Sequence, residues 1–497
     1  MTPPVVRLAR SAVLLAGIML LVSLAVVARD LHRAGLAPVS LGALSVADAR
    51  HLTSVFSRAS NQLMAIVFTA IAIAVPLTAN MYSLKFLEYF LRDRVNAVVL
   101  VLVVFANVNT TLLSYALKDG FVPGLAIHAQ LALMVVGGSL LCPYVYYVFR
   151  FLHPSTLLER LEQEVERHLR EVGHTRDLAG ARAAAAGAVE HIGNIAIRSI
   201  DRLDRTTAVA AVQRIEHVLR GYWARKPALP AAWFEPDRST FPSFSGAALR
   251  EMHENRGWVE MKALAELRQI TSAGLNRMHD LVSAGARALR RLGAEEAAVE
   301  DRWVRELVVE YFNTLVRAAL NARDVRSVFI IFEHYRAHAE SLVRAQPEQV
   351  AEIAGYFEYY AQVARELNLT FVVEVVAHDL GRLVEHAWGE DAANREALLR
   401  RFLAYGEGAP PLPGTKKAQA ILASYFLSQG ERGPAALVAA RLARLDHELL
   451  RRVRDELLSV EREKYWEVNE RRLNLDYVPP ERRETLRSFF EELAAPA

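Results

Sequence analysis

Cys142 is the only cysteine in 497 residues, so disulfides within the chain and zinc-finger spacings are both impossible. Basic blocks are missing as well: 59 Lys and Arg are interleaved with 56 Asp and Glu, and the net charge of +3 excludes a nucleic-acid partner. No glycine loop for phosphate, no nucleophile elbow and no kinase-like residue set occurs, and paired carboxylates are solvated helix charge. A non-enzymatic chain without a cofactor is therefore expected. Beyond residue 150 there is no long apolar stretch, whereas residues 1–150 carry four, at about 11–28, 63–79, 95–117 and 125–149. Each approaches the ~20 residues that cross ~30 Å of hydrocarbon. The reading is all-α: a four-span transmembrane head followed by a large polar helical tail.

Charge sets the expected orientation. The first stretch, preceded by Arg7 and Arg10, is longer than the h-region of an export signal and reads as an uncleaved span. Lys85, Arg92 and Arg94 fill the connection between spans two and three, and Arg150 follows span four. These bases belong on the cytoplasmic side, and an even number of spans puts both termini and the tail there.

No charged residue sits deep in any span, which leaves proton relays and voltage sensing without candidates. Pro76 removes a backbone donor in span two and predicts a kink near Ala72. In span three, Asn107, Thr111 and Ser114 recur at i, i+4 and i+7 and share one face, which serves either inter-helix hydrogen bonding or the wall of a hydrated path. The connection from Tyr82 to Arg94 mixes aromatics, leucines and bases at helical spacing, as a helix lying in the lipid headgroup region does, with Lys85, Arg92 and Arg94 as its interfacial residues.

The block from about residue 60 to 150, with Tyr82-Ser83-Leu84 leading into Tyr89-Phe90-Leu91-Arg92-Asp93-Arg94, resembles the prokaryotic predicted-membrane-protein family called domain of unknown function twenty-two fifty-four. A further echo lies in Ile195 to Ala208. The resemblance implies a four-span protein of the prokaryotic inner membrane with a soluble C-terminal part, and no established activity.

In the tail, Thr156 and Glu159 have capping-box spacing, and residues 151–225 form a membrane-proximal helical region. Residues 226–246, with Pro227, Pro230, Pro236 and Pro242, read as a linker. From 247 to 497 helical periodicity returns in pairs: 307–322 with 325–342 around Arg323-Asp324, 350–367 with 372–388 around Asn368, and 416–429 with 434–445 around Gly430 to Gly433. Helix-turn-helix units of roughly 30–45 residues predict an α-solenoid-like domain that presents a surface to a protein partner. A last amphipathic helix carries Leu486, Phe489, Phe490 and Leu493 on one side.

His334 with His338, and Glu374 with His378, stand at i, i+4, the spacing with which facing helices hold a metal. With 15 histidines in a mostly helical chain such pairs arise by chance, and no metal site is expected. The leading expectation is an integral membrane protein, homo-oligomeric, whose cytoplasmic helical domain binds a partner protein or couples it to the bilayer. The rival is an ion or small-solute channel or transporter gated by that domain.

Overall fold

Ser45 starts the first helix by accepting the Asp48 amide on its Oγ at 3.1 Å while its own hydroxyl donates to the Asp48 carboxylate at 2.7 Å. The computed structural model that shows this describes residues 44–494 except 83–84, 120, 408–409 and 467–470. The expected first span at 11–28 lies outside the described residues. The chain divides into two compact units, one ending at Arg160 and the other running from Leu161 to the end.

In the first unit α1 (Val46–Met81), α3 (Arg94–Ala116) and α4 (Gly124–Phe151) are long and apolar enough to cross a membrane, the only three such helices among the described residues. The short α2 (Lys85–Arg92) joins α1 to α3, and α5 (Pro154–Glu171) follows α4 and continues into the second unit. Apolar side chains such as Phe68, Ile73, Val98, Val101, Phe105 and Leu112 face outward, while Ser60, Thr110 and Gln130 are buried. That distribution inverts a water-soluble bundle and suits a lipid solvent.

Two details differ from the sequence reading. The helix that carries the second apolar stretch begins at Val46, well before residue 63, because residues 46–62 alternate apolar and polar groups around the helix and escape a hydropathy window. Its helical run continues through Pro76 to Met81. Thr156 is no cap either: α5 starts at Pro154, and the Thr156 hydroxyl donates to the Arg150 carbonyl at 3.2 Å.

The second unit is built of helical hairpins: α6 (Leu178–Asp201) with α7 (Arg205–Trp223), α9 (Trp258–Ala273) with α10 (His279–Gly293), α12 (Arg302–Asn321) with α13 (Val325–Leu342), α14 (Pro347–Glu366) with α15 (Thr370–Gly389), and α17 (Pro413–Ser428) with α18 (Arg432–Leu442). One turn chemistry recurs. Leu203, Asn276, Arg323, Asn368 and Gly430 all have positive φ, between 58° and 79° save for 51° at Arg323. The amides of Asp204, Asp324, Leu369 and Glu431 then donate back to Ser199, Ala319, Ala364 and Phe426 carbonyls at 2.8–3.0 Å, the long bond of the Schellman motif. Asp324 also reaches the neighbouring hairpin, accepting the Asn276 amide at 2.7 Å.

First helices of successive hairpins (α6, α9, α12, α14) pack on one another, and so do second helices (α7, α10, α13, α15), after which α17, the first helix of the last hairpin, packs on α15. Aromatics fill the space between the layers: Phe312 stacks on Tyr335 at 4.6 Å, and Phe332 meets Phe357 edge-on at 5.0 Å. The short α8 (Gly246–Glu254), α11 (Glu296–Glu300) and α16 (Arg395–Ala404) complete the series. The proline-rich 226–246 segment carries two 3-10 turns and buries Trp233, whose carbonyl accepts from the Trp258 indole at 2.8 Å. At the far end α19 (His447–Ser459) and α20 (Pro480–Ala494) pack on α17, with Leu486, Phe489 and Phe490 of α20 buried.

Candidate functional site

Two polar constellations stand out, one in each unit. In the head, Gln130 of α4 is fully buried between α1 and α3. Its Nε2 donates to the Thr110 hydroxyl at 2.9 Å and to the Ala106 carbonyl at 3.1 Å, and its Oε1 accepts from Asn109 Nδ2 at 2.6 Å. Ser60 of α1 closes the group, 3.2 Å from Thr110 Oγ1. Apolar clusters flank this layer, Ala49, Phe56, Leu113 and Ile127 on one side and Val67, Tyr144 and Val148 on the other. The amide thus ties α4 to α3, and Ser60 ties α1 to the same point through Thr110.

The Asn107, Thr111, Ser114 face lies elsewhere. Thr111 and Ser114 are exposed, and their hydroxyls return to carbonyls of their own helix, Asn107 at 3.2 Å and Thr110 at 3.0 Å. Asn107 Nδ2 donates to Asn61 Oδ1 of α1 at 2.6 Å. The polar face is legible in the sequence and its inward neighbour is not, although Gln130, the one side-chain amide of its apolar stretch, is a signal for it. Exchange of Gln130 for Leu leaves the Asn109 amide without its partner, while Thr110 keeps the Ala106 carbonyl and Ser60, and is expected to cost about 1–2 kcal/mol. Unfolding of the reconstituted protein in SDS checks this, and an unchanged midpoint would contradict it.

The α2 connection is a short amphipathic helix whose bases pair with Glu88, Lys85 at 3.1 Å and Arg92 at 2.9 Å, while Leu87 and Leu91 are exposed. Arg92 and Arg94 are exposed too. Phe90 turns inward, edge-on to Phe151 at 5.6 Å. The next residue but two, Asp93, caps α3 through the Val95 and Asn96 amides and also accepts from the Tyr147 hydroxyl at 2.7 Å. Arg160 approaches the same carboxylate at 3.5 Å, its guanidinium over the Phe151 ring at 3.9 Å.

In the second unit the constellation centres on Asp379 of α15, which is fully buried. Arg471 donates through Nη1 to Oδ1 at 2.6 Å and through Nη2 to Oδ2 at 3.0 Å, and also reaches the Phe329 carbonyl at 2.8 Å. Arg336 Nε of α13 stands 3.2 Å from Asp379 Oδ1, and the Arg471 guanidinium covers the Phe329 ring at 4.1 Å. Burial pushes the Asp379 carboxyl up, but Arg471 and then Arg336 outweigh it, so Asp379 lies below its ordinary value. Beside this pair runs a cavity of about 760 Å³ lined by α13, α15, α17, α19 and the segment 473–476.

The histidines do not converge. His338 packs between α10 and α12, stacked on Phe312 at 5.7 Å, with neither ring nitrogen hydrogen-bonded. His378 faces the other way, its Nε2 3.5 Å from Asp476. Glu374 accepts the Gly414 amide at 2.9 Å. Burial holds His334, His338 and His378 at about 4, so each is neutral at pH 7, and the His378 contact is polar rather than ionic. Among the described residues no group of three or more His, Cys, Asp or Glu could hold a metal.

A search of curated proteins finds no match for the chain. One solved structure, a "Circular tandem repeat protein with novel repeat topology and enhanced subunit contact surfaces", aligns over 90% of this chain and 98% of its own at 14% identity, with a TM-score of 0.33, too loose a likeness to bear on function. Residues 7–190, a span that takes in the first apolar stretch, all three membrane-length helices, α5 and part of α6, match the family described as predicted membrane protein (DUF2254).

Proposed function

We propose that this is a non-enzymatic, homo-oligomeric protein of the prokaryotic inner membrane whose second unit is an α-solenoid that docks a protein partner on the cytoplasmic side. The observation that carries the reading is the continuous layer of second helices with an open groove beside Asp379. Phe371, half exposed on the groove wall, and the exposed Trp466 near its rim offer the aromatic anchors that protein interfaces favour. Lys85, Arg92 and Arg94 support the cytoplasmic orientation. The exposed Asn61–Asn107 pair supports contact with a further membrane helix, which we assign to a second copy.

A photocrosslinking residue at Phe371, compared with one at the exposed Arg302, tests docking in native membranes. A single adduct identified at Phe371, absent at Arg302 and lost with Lys417→Glu on the opposite groove wall, supports the reading. No adduct at Phe371, or the same adducts at both positions, overturns it. The rival, a gated channel or transporter, draws on the exposed Thr111 and Ser114. Since these hydroxyls are satisfied within their own helix, Asn107→Leu with Thr111→Val is expected to leave ion flux of reconstituted protein at background. A flux that the pair of substitutions abolishes would install the rival instead.

A further inference from the structure

We propose that the segment Arg471–Val478 is a peptide ligand bound in cis, and that the groove of α13, α15 and α17 is a receptor for a short non-helical peptide with an arginine followed five residues later by a carboxylate. In this chain Arg471 and Asp476 supply that pair.

The pattern of burial sets the segment apart from ordinary core. A strand of core would cover its leucines and leave its charges in water. Here a charge is as deeply covered as the one apolar anchor: the Arg471 side chain and Val478 are each 1% exposed, whereas Leu473 and Leu475 are only partly covered and line the open groove. Recognition runs through charge. Arg471 forks onto Asp379, and Asp476 receives Lys417 Nζ of α17 at 2.8 Å. A bidentate guanidinium on a carboxylate fixes direction as well as affinity.

The receptor is also built to survive release. Asp379 keeps Arg336 at 3.2 Å when Arg471 leaves, so its charge is not stranded. Arg382, held below its usual value by burial and by the nearby Arg336 and Arg471, gains from the departure. Meanwhile α20 tethers the segment from its far end, with Arg482 donating to Glu385 at 2.9 Å and to the Ile421 carbonyl at 2.7 Å. The tether maintains a high local concentration, so a weak ligand stays bound and a partner peptide must compete with it. This occupancy presupposes the docking groove proposed above and adds the chemistry of what enters it.

The test uses the full chain in detergent and a fluorescent peptide with the sequence of residues 471–479. Wild type is expected to bind the peptide at least tenfold more weakly than Arg471→Ala, in which hydrogen-exchange protection of 473–478 is lost while α15 stays protected. Adding Lys417→Glu to that variant should abolish peptide binding. Equal binding by wild type and Arg471→Ala overturns the proposal, as does a freed segment with no peptide binding. Should α15 lose protection in both Arg471→Ala and Arg471→Lys, the segment is core and the proposal fails. Crosslinking at Phe371 reads partner docking independently, so failure here leaves that reading standing or falling on its own result.

Discussion

Asp379→Ala lowers the unfolding free energy of the second unit by about 3–5 kcal/mol, the usual consequence of removing one member of a buried ionic group. Asp379 is fully covered and stands between the guanidiniums of Arg471 and Arg336. Without it Arg471 and Arg336 keep the flanking Glu333 and Glu340, Arg382 keeps Glu385, and the three guanidiniums are left beside one another. Arg471→Ala is the instructive comparison, because it leaves Asp379 paired with Arg336 and costs less. Denaturant titrations followed by tryptophan fluorescence rank the two variants. If Arg471→Ala proves the more damaging, the central role given to Asp379 is wrong.

The second large effect is acid lability. His338 and His378 are buried, and burial first of all holds each at about 4 against an unfolded value near 6.5. For His338 Arg290 adds to the effect; for His378 Arg382 and Lys417 add to it while Asp476 and Asp379 oppose it. The unfolded chain takes up these protons first, so the contribution is whole above about pH 6.5 and is lost as pH falls toward 4. By pH 5 each histidine removes about 2 kcal/mol. Glu260 and Glu266, raised by burial, act in the opposite sense as they protonate in the folded state. His338→Leu isolates the histidine term: its melting temperature should depend less on pH than that of wild type between 7 and 5. Parallel profiles would show that the ring is protonated without penalty.

Much of this arrangement could be seen in the chain. Apolar stretches report membrane-length helices directly, because lipid demands a side chain of the same kind at nearly every position. Hairpins were visible at Arg323-Asp324, Asn368 and Gly430, where Asp, Asn or Gly supports a turn, and hidden at Leu203, where a leucine takes positive φ. What stayed hidden depends on direction or on distance along the chain. Spacing groups Asn107, Thr111 and Ser114 on one face, but only packing decides that Thr110 beside them points inward to Gln130. Likewise the two i, i+4 histidine pairs are real as spacings, and their rings aim at different neighbours. Arg471 and Asp379 are separated by 92 residues, with nothing local in either to name the other.

That separation bears on the order of folding. Each hairpin closes within one helix, one turn and the next helix, so its contacts are local and form at small loop-closure cost. The Arg471 contacts span 92 residues to Asp379 and 142 to Phe329, and are the last to become worthwhile, once α13 and α15 already lie side by side. Until then Asp379 has Arg336 as its companion. Contact range thus separates the two: the hairpins rest on local contacts, whereas the guanidinium's contacts presuppose a stack already in place.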